Sequence, residues 1–176
     1  MSTTVDTTQM SAVAFSAQQQ EDIRALVTRY PQPLSALLPV LHMAQQHFGY
    51  LPMNVQQLVA DTLNVTLMQV REVVTFYTMF KEQPTGTYLM EVCTNVSCML
   101  NGAVELLDHM CNTLGIQPGE TTPDGLFTLA EVECAGACGS APVVQVNNIY
   151  HEKVTAETMD ALITNIQTGA ETGGVA

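Results

Sequence analysis

Hydrophobic residues recur along this chain with two different periods, and the change from one to the other divides it. In the first half the spacing is helical. Ile23, Leu26, Val27 and Tyr30 fall at i, i+3, i+4 and i+7 on one helix face, with Ser16 and Gln19 placed before them as a capping box. Ser35 is placed to cap a second helix in which Leu37, Leu38, Leu41 and Phe48 point inward. Pro39 falls in or just after its first turn, where a missing N–H costs least, and Gly49 ends it. Asn54 with Gln57, and Thr66 with Gln69, repeat the capping signature before two further amphipathic stretches, 55–63 and 68–80. Four helices are predicted, each too short to be stable without packing on its neighbours or on a partner.

Between residues 81 and 86, Pro84 and Gly86 break the helical period, and the alternation Tyr88, Met90, Val92 that follows marks a strand. Beyond Cys98, Asn101-Gly102 precedes an amphipathic helix with Val104, Leu107, Cys111 and Leu114 on one side, ending at Gly115. Strands follow at about 126–133 and 143–146, then an Asn147-Asn148 turn, a short strand to about His151, and a last helix from near Thr155. The pattern is α+β: a helical domain over 18–83 and a β-α-β-β-α domain over 84–167. Residues 1–17 and 168–176, polar or glycine-rich, are expected to be disordered tails.

Composition narrows the class. Hydrophobic residues make up 47% of the chain, yet no apolar run of membrane-spanning length occurs. The first twenty residues are rich in Ser, Thr and Gln, lack Lys and Arg, and include Asp6, unlike a secretory or mitochondrial targeting segment, so a cytoplasmic location is expected. The formal net charge of −12 is uneven: residues 1–84 carry −2 and residues 85–176 carry −10, with Lys153 the lone cation of the second half. Such a surface excludes nucleic acid as a natural partner.

Chemistry concentrates in four cysteines. Cys93 and Cys98 form one close pair and Cys134 and Cys138 another, each at the end of a strand-like run. Two thiolates on one loop and two on a distant one converge only if a fold joins the strand ends, as four-sulfur ligation of zinc or of an iron–sulfur cluster requires. The spacings C-x4-C and C-x3-C are at the wide end for zinc, and the small residues of Cys134-Ala-Gly-Ala-Cys138-Gly139 leave room for an inorganic core, which favours iron–sulfur. The spacing is not that of plant-type ferredoxins. A disulfide framework fits poorly with an odd cysteine count and no signal peptide, and dithiol oxidoreductase chemistry uses a closer C-x-x-C pair.

Other candidates carry less. Cys111 is spaced as a packed, inert thiol, and His42, His47, His109 and His151 share no metal-ligand spacing. Phe76, Tyr77 and Phe80 are spaced for core packing or a partner contact. No Gly-x-Gly-x-x-Gly follows a strand, so no dinucleotide loop is present.

Cys93 to Cys98, Gly125-Leu126-Phe127-Thr128-Leu129, and Glu133 to Cys138 with Gly139-Ser140-Ala141-Pro142 resemble the thioredoxin-like 2Fe-2S ferredoxin subunit of NADH:quinone oxidoreductase, respiratory complex I. Ser35-Ala-Leu-Leu-Pro39, Ala44-Gln-Gln46 and Glu72 to Phe80 are similar to its helical N-terminal part, so the resemblance covers roughly 18–166. It departs at Ala135, where the family more often carries Leu.

The resemblance implies a helical bundle followed by a thioredoxin-like domain holding one 2Fe-2S cluster on Cys93, Cys98, Cys134 and Cys138, with no catalytic residue in this chain. It also implies a partner subunit that binds FMN and NADH, and a place at the cytoplasmic face of the membrane within a larger complex. NAD-linked hydrogenases and formate dehydrogenases share the module. The carboxylates of Glu91, Glu131 and Glu133 beside an anionic cluster are expected to depress its potential. A freestanding thioredoxin-like ferredoxin and a zinc-stabilised interaction module stand as alternatives.

Overall fold

The computed structural model describes residues 13–169 and divides the chain into two compact units, with the boundary between Pro84 and Thr85. The first unit contains α1 (Ala17–Val27), a 3₁₀ turn (Pro33–Ala36), α2 (Leu37–Phe48), α3 (Met53–Leu63) and α4 (Leu67–Phe76). Their inner faces close around Ile23, Leu37, Val40, Leu41, Val55, Val59, Val70 and Val74. Two capping boxes form as spaced, Ser16 with Gln19 and Thr66 with Gln69, and Gly49 ends α2 with φ +82.

The structure corrects four details of this half. Ser35 does not cap α2, because it lies inside the 3₁₀ turn that runs directly into the helix. Asn54 does not cap α3. Pro52 supplies the extended N-cap backbone, so the helix begins at Met53 and the Asn54 side chain accepts from the Val55 N–H. Tyr30 lies beyond the end of α1 and is exposed. Helix α4 stops at Phe76 because Tyr77 turns extended, with φ −93 and ψ 111; the chain then doubles back, burying Phe80 (5% exposed) and leaving Phe76 outside (76%).

Phe15 is buried with its ring 5.7 Å from that of Phe48, so the stretch expected as an N-terminal tail contributes to the core from this point. Residues 1–12 and 170–176 of the expected tails lie outside the described residues.

The second unit is built from β1 (Tyr88–Cys93), α5 (Val96–Leu100), α6 (Ala103–Leu114), β2 (Phe127–Val132), β3 (Val143–Val146), β4 (Ile149–Glu152) and α7 (Ala156–Gln167). The sheet order is β2-β1-β3-β4, with β1 and β2 parallel and the other two pairings antiparallel. Gly86 enters the sheet flush against β2: a Cβ there would sit 2.9 Å from the Phe127 carbonyl carbon. Tyr88, Met90 and Val92 alternate into a core shared with Phe127, Leu129, Val144, Val146 and residues of α6 and α7.

Helix α6 buries Ala103, Leu106, Leu107 and Met110 rather than the stripe of Val104, Leu107, Cys111 and Leu114. The two stripes adjoin and both are apolar. Packing on the sheet selects the first, leaving Val104 exposed and Cys111 at the core margin. Helix α5, five residues long, is too short to leave a periodic mark in sequence.

A candidate iron–sulfur site at one end of the sheet

Topology brings the four cysteines to one place. Because β1 and β2 run parallel, with Cys93 opposite Val132, the segments leaving them emerge at the same end of the sheet. Strand β3 is antiparallel to β1 and lies on its other side, so the connection from β2 to β3 must cross over the end of β1. Cys93 is the last residue of β1, and Cys98 lies in α5 just beyond it. Cys134 and Cys138 lie in the crossing connection, Cys138 opening a 3₁₀ turn (Cys138–Ser140).

The two pairs differ in exposure. Cys93 and Cys98 are 3% and 2% exposed and pack with Ala103 and Val143 in a small apolar cluster, walled by Val132, Ala135, Ala137 and Ala141. Cys134 and Cys138 are exposed. All are free thiols, and they influence one another's acidity across the two loops, Cys98 and Cys134 acting on Cys93, and Cys138 on Cys98.

The thiols of the buried pair are pushed apart in acidity. Burial raises Cys93, but the backbone N–H groups of Ala135 and Asn95 and the neighbouring thiols outweigh it and hold Cys93 below the usual thiol range. Burial, and then the contact with Cys93, push Cys98 up against a backbone hydrogen bond from Val143. Backbone donors reach the second loop as well, where the Gly136 N–H lies 3.3 Å from Cys134 Sγ.

Among the described residues, no three His, Cys, Asp or Glu side chains stand at the geometry of a single-ion cage. A binuclear iron–sulfur core asks for something else: four thiolates in two pairs, small flanking residues and N–H groups directed at sulfur. The residues at this end of the sheet fit that demand. The site's polar rim also includes Thr94, whose hydroxyl donates to Glu131 Oε1 at 2.6 Å, and Ser97, whose hydroxyl donates to the Cys138 carbonyl at 3.0 Å. Neither residue carries a sequence signal, since each is one polar loop residue among many until the second loop is folded over it.

The remaining candidates stand apart. Cys111 is half-buried on α6, its thiol raised by burial and by the Asp108 charge. His42 and His47 lie against the rings of Phe80 and Phe48, and His109 Nε2 lies 2.7 Å from Asp160. Among the described residues no helix is long and apolar enough to cross a membrane.

Most of the chain has counterparts among known proteins. A family model described as thioredoxin-like [2Fe-2S] ferredoxin matches residues 23–167, which spans both units. The chain is 49% identical over 144 residues to an NADH-quinone oxidoreductase subunit of Rhizobium meliloti, covering 82% of this chain and 86% of that protein. It is 38% identical over 161 residues to an NADH-quinone oxidoreductase subunit of Thermus thermophilus, covering 89% and 88%. Among solved structures, the NAD+-reducing [NiFe]-hydrogenase in its air-oxidized state superposes with a TM-score of 0.67 at 26% identity, over 77% of this chain and 23% of that one. The match takes in the helical half as well as the cysteine-bearing sheet, and on that breadth the chain belongs to the thioredoxin-like [2Fe-2S] ferredoxin family.

Proposed function

We propose that this chain is the electron-transfer subunit of an NADH-quinone oxidoreductase, holding one [2Fe-2S] cluster with Cys93 and Cys98 on one iron and Cys134 and Cys138 on the other. The observation that carries the reading is the convergence of both cysteine pairs at one end of the sheet, imposed by the crossing of β1 by the β2–β3 connection. Each close pair can chelate one iron without strain across the sheet.

When bound, such a group supplies a one-electron store and relay. The chain's own part is to hold four sulfurs, direct backbone N–H groups at them and bury one pair. The exposed pair leaves one side of the site open to a redox partner. Glu91, Glu131 and Glu133 each lie within three residues of one of the four cysteines in sequence, and their charge resists addition of an electron, which favours a low potential.

No dinucleotide fingerprint is present in the sequence, so NADH and a flavin are assigned to a partner subunit. The exposed Phe76, Tyr77 and Met79 on the first unit suit docking to that partner. Within the complex we assign the chain to the cytoplasmic face of the membrane. The relatives named as quinone oxidoreductase subunits match at higher identity than the hydrogenase, which favours the quinone-linked parent complex.

The test is anaerobic mixing of purified chain, NADH and the flavin-bearing partner, followed by electron paramagnetic resonance. The isolated chain should be reduced by dithionite and not by NADH, and should take electrons from NADH once the partner is added. Reduction of the flavin-free isolated chain by NADH would refute the subunit reading.

A further inference from the structure

We infer that Ser97 is a positioning residue that holds the exposed ligand loop against the buried one; the inference rests on the cysteine ligation proposed above. The two pairs are anchored very differently. Cys93 ends a strand paired on both sides, and Cys98 sits in α5, whose ends are tied by the Asn95 side chain to the Val96 N–H at 2.8 Å and by Asn101 Nδ2 to the Ser97 carbonyl at 2.7 Å. Ser97 is therefore fixed through its own backbone.

Among the described residues, the backbone hydrogen bonds that tie the second loop to the rest of the unit flank the stretch that carries its cysteines. Upstream, the Thr94 N–H donates to the Val132 carbonyl at 3.2 Å. Downstream, the Lys153 and Val154 N–H groups donate to the Ser140 and Pro142 carbonyls at 2.8 and 3.1 Å. Between these anchors the loop's own contacts are local, Ser140 N–H to the Ala137 carbonyl and Gly136 N–H to Cys134 Sγ. Contacts across to the first loop that involve the ligand sulfurs belong to ligation itself. Among the described residues, the Ser97 hydroxyl donating to the Cys138 carbonyl at 3.0 Å is the hydrogen bond between the two cysteine-bearing loops that uses no ligand sulfur. It orients the peptide of Cys138, and with it the direction in which that thiol leaves the chain.

One neutral hydrogen bond of this kind corresponds to a factor of about 3 to 10 in the closed-to-open ratio of the loop. Two measurements on the full chain test it. In the metal-free protein, Ser97→Ala should speed amide hydrogen exchange at 134–138 by about 3- to 10-fold while leaving β1 and α6 unchanged. In the iron-loaded protein, the same variant should release iron to a chelator about 3- to 10-fold faster and shift the g-values of the dithionite-reduced signal, and Ser97→Thr, which keeps the hydroxyl, should restore both.

Unchanged exchange at 134–138 would overturn the inference, as would Ser97→Thr behaving like Ser97→Ala, or protection lost equally throughout the second unit. A wild-type chain that takes up no iron would instead refute the ligation reading, leaving the exchange measurement to judge Ser97.

Discussion

A buried polar cluster around Gln56 in the helical unit and the buried cysteine pair in the second unit are used in opposite ways. In the helical unit, Gln56 is fully buried and donates to the Leu51 carbonyl at 2.7 Å and to Glu82 Oε1 at 3.0 Å, while Arg71 reaches the same Glu82 oxygen at 3.1 Å. Gln45 donates to the Met79 carbonyl and accepts from the Lys81 N–H. These contacts sew the segment after α4 back onto the helices, and each polar group is spent on structure. In the second unit, the Cys93 and Cys98 thiols have one another and backbone N–H groups as partners, and their acidities are driven in opposite directions. Buried polar groups matched to fixed internal partners build a scaffold; buried nucleophiles gathered at a strand end, with donors aimed at them, build a site.

The largest effect that would break this contrast is on the cysteines. Replacing Cys93, Cys98, Cys134 or Cys138 singly by Ser should abolish or alter the visible spectrum of the iron-loaded chain, while Cys111→Ala should leave it intact. Loss of the spectrum in Cys111→Ala alone would reverse the assignment.

Core substitutions sharpen the contrast by unit. Met110→Ala, beneath the sheet, should cost about 2–5 kcal/mol and lower the urea midpoint of the visible band. Gln56→Leu should cost about 1–3 kcal/mol, because the Leu51 carbonyl loses its buried donor, and should lower the far-ultraviolet helical transition without moving the visible one. Both probes moving together in Gln56→Leu would show that the units unfold as one.

The smallest effect expected is at Asp124. The Thr122 hydroxyl, and then the Leu126 N–H, hold its carboxyl below the usual carboxylate range. A depressed carboxylate contributes stability that is present above its unfolded pKa and is lost as pH falls through the folded one. Asp124→Asn should therefore slightly destabilise the second unit at neutral pH. The gap from wild type should close on acidification, and melting curves of both proteins across the acid range check the sign.

Local signals proved readable where they were self-contained. The Ser16–Gln19 and Thr66–Gln69 boxes and the Tyr88-Met90-Val92 alternation need only neighbouring residues, and all three appear in the structure as spaced. Details set by tertiary packing were hidden. The end of α4 depends on Phe80 finding the helical core, and the buried face of α6 depends on which of two adjoining apolar stripes meets the sheet. The same holds at the site. The cysteine spacing marked four candidate ligands on two loops, whereas Ser97 and Thr94 acquire meaning only when the strand order carries one loop across the end of β1.

If the proposed ligation is right, this strand end holds a two-iron, two-sulfide core on four cysteines. Iron, zinc and acid-labile sulfide should be quantified in the anaerobically purified chain, together with its spectrum before and after dithionite. Two irons and two sulfides per chain are expected, in a red-brown protein that bleaches on reduction. A colourless protein carrying one zinc and no sulfide would contradict it.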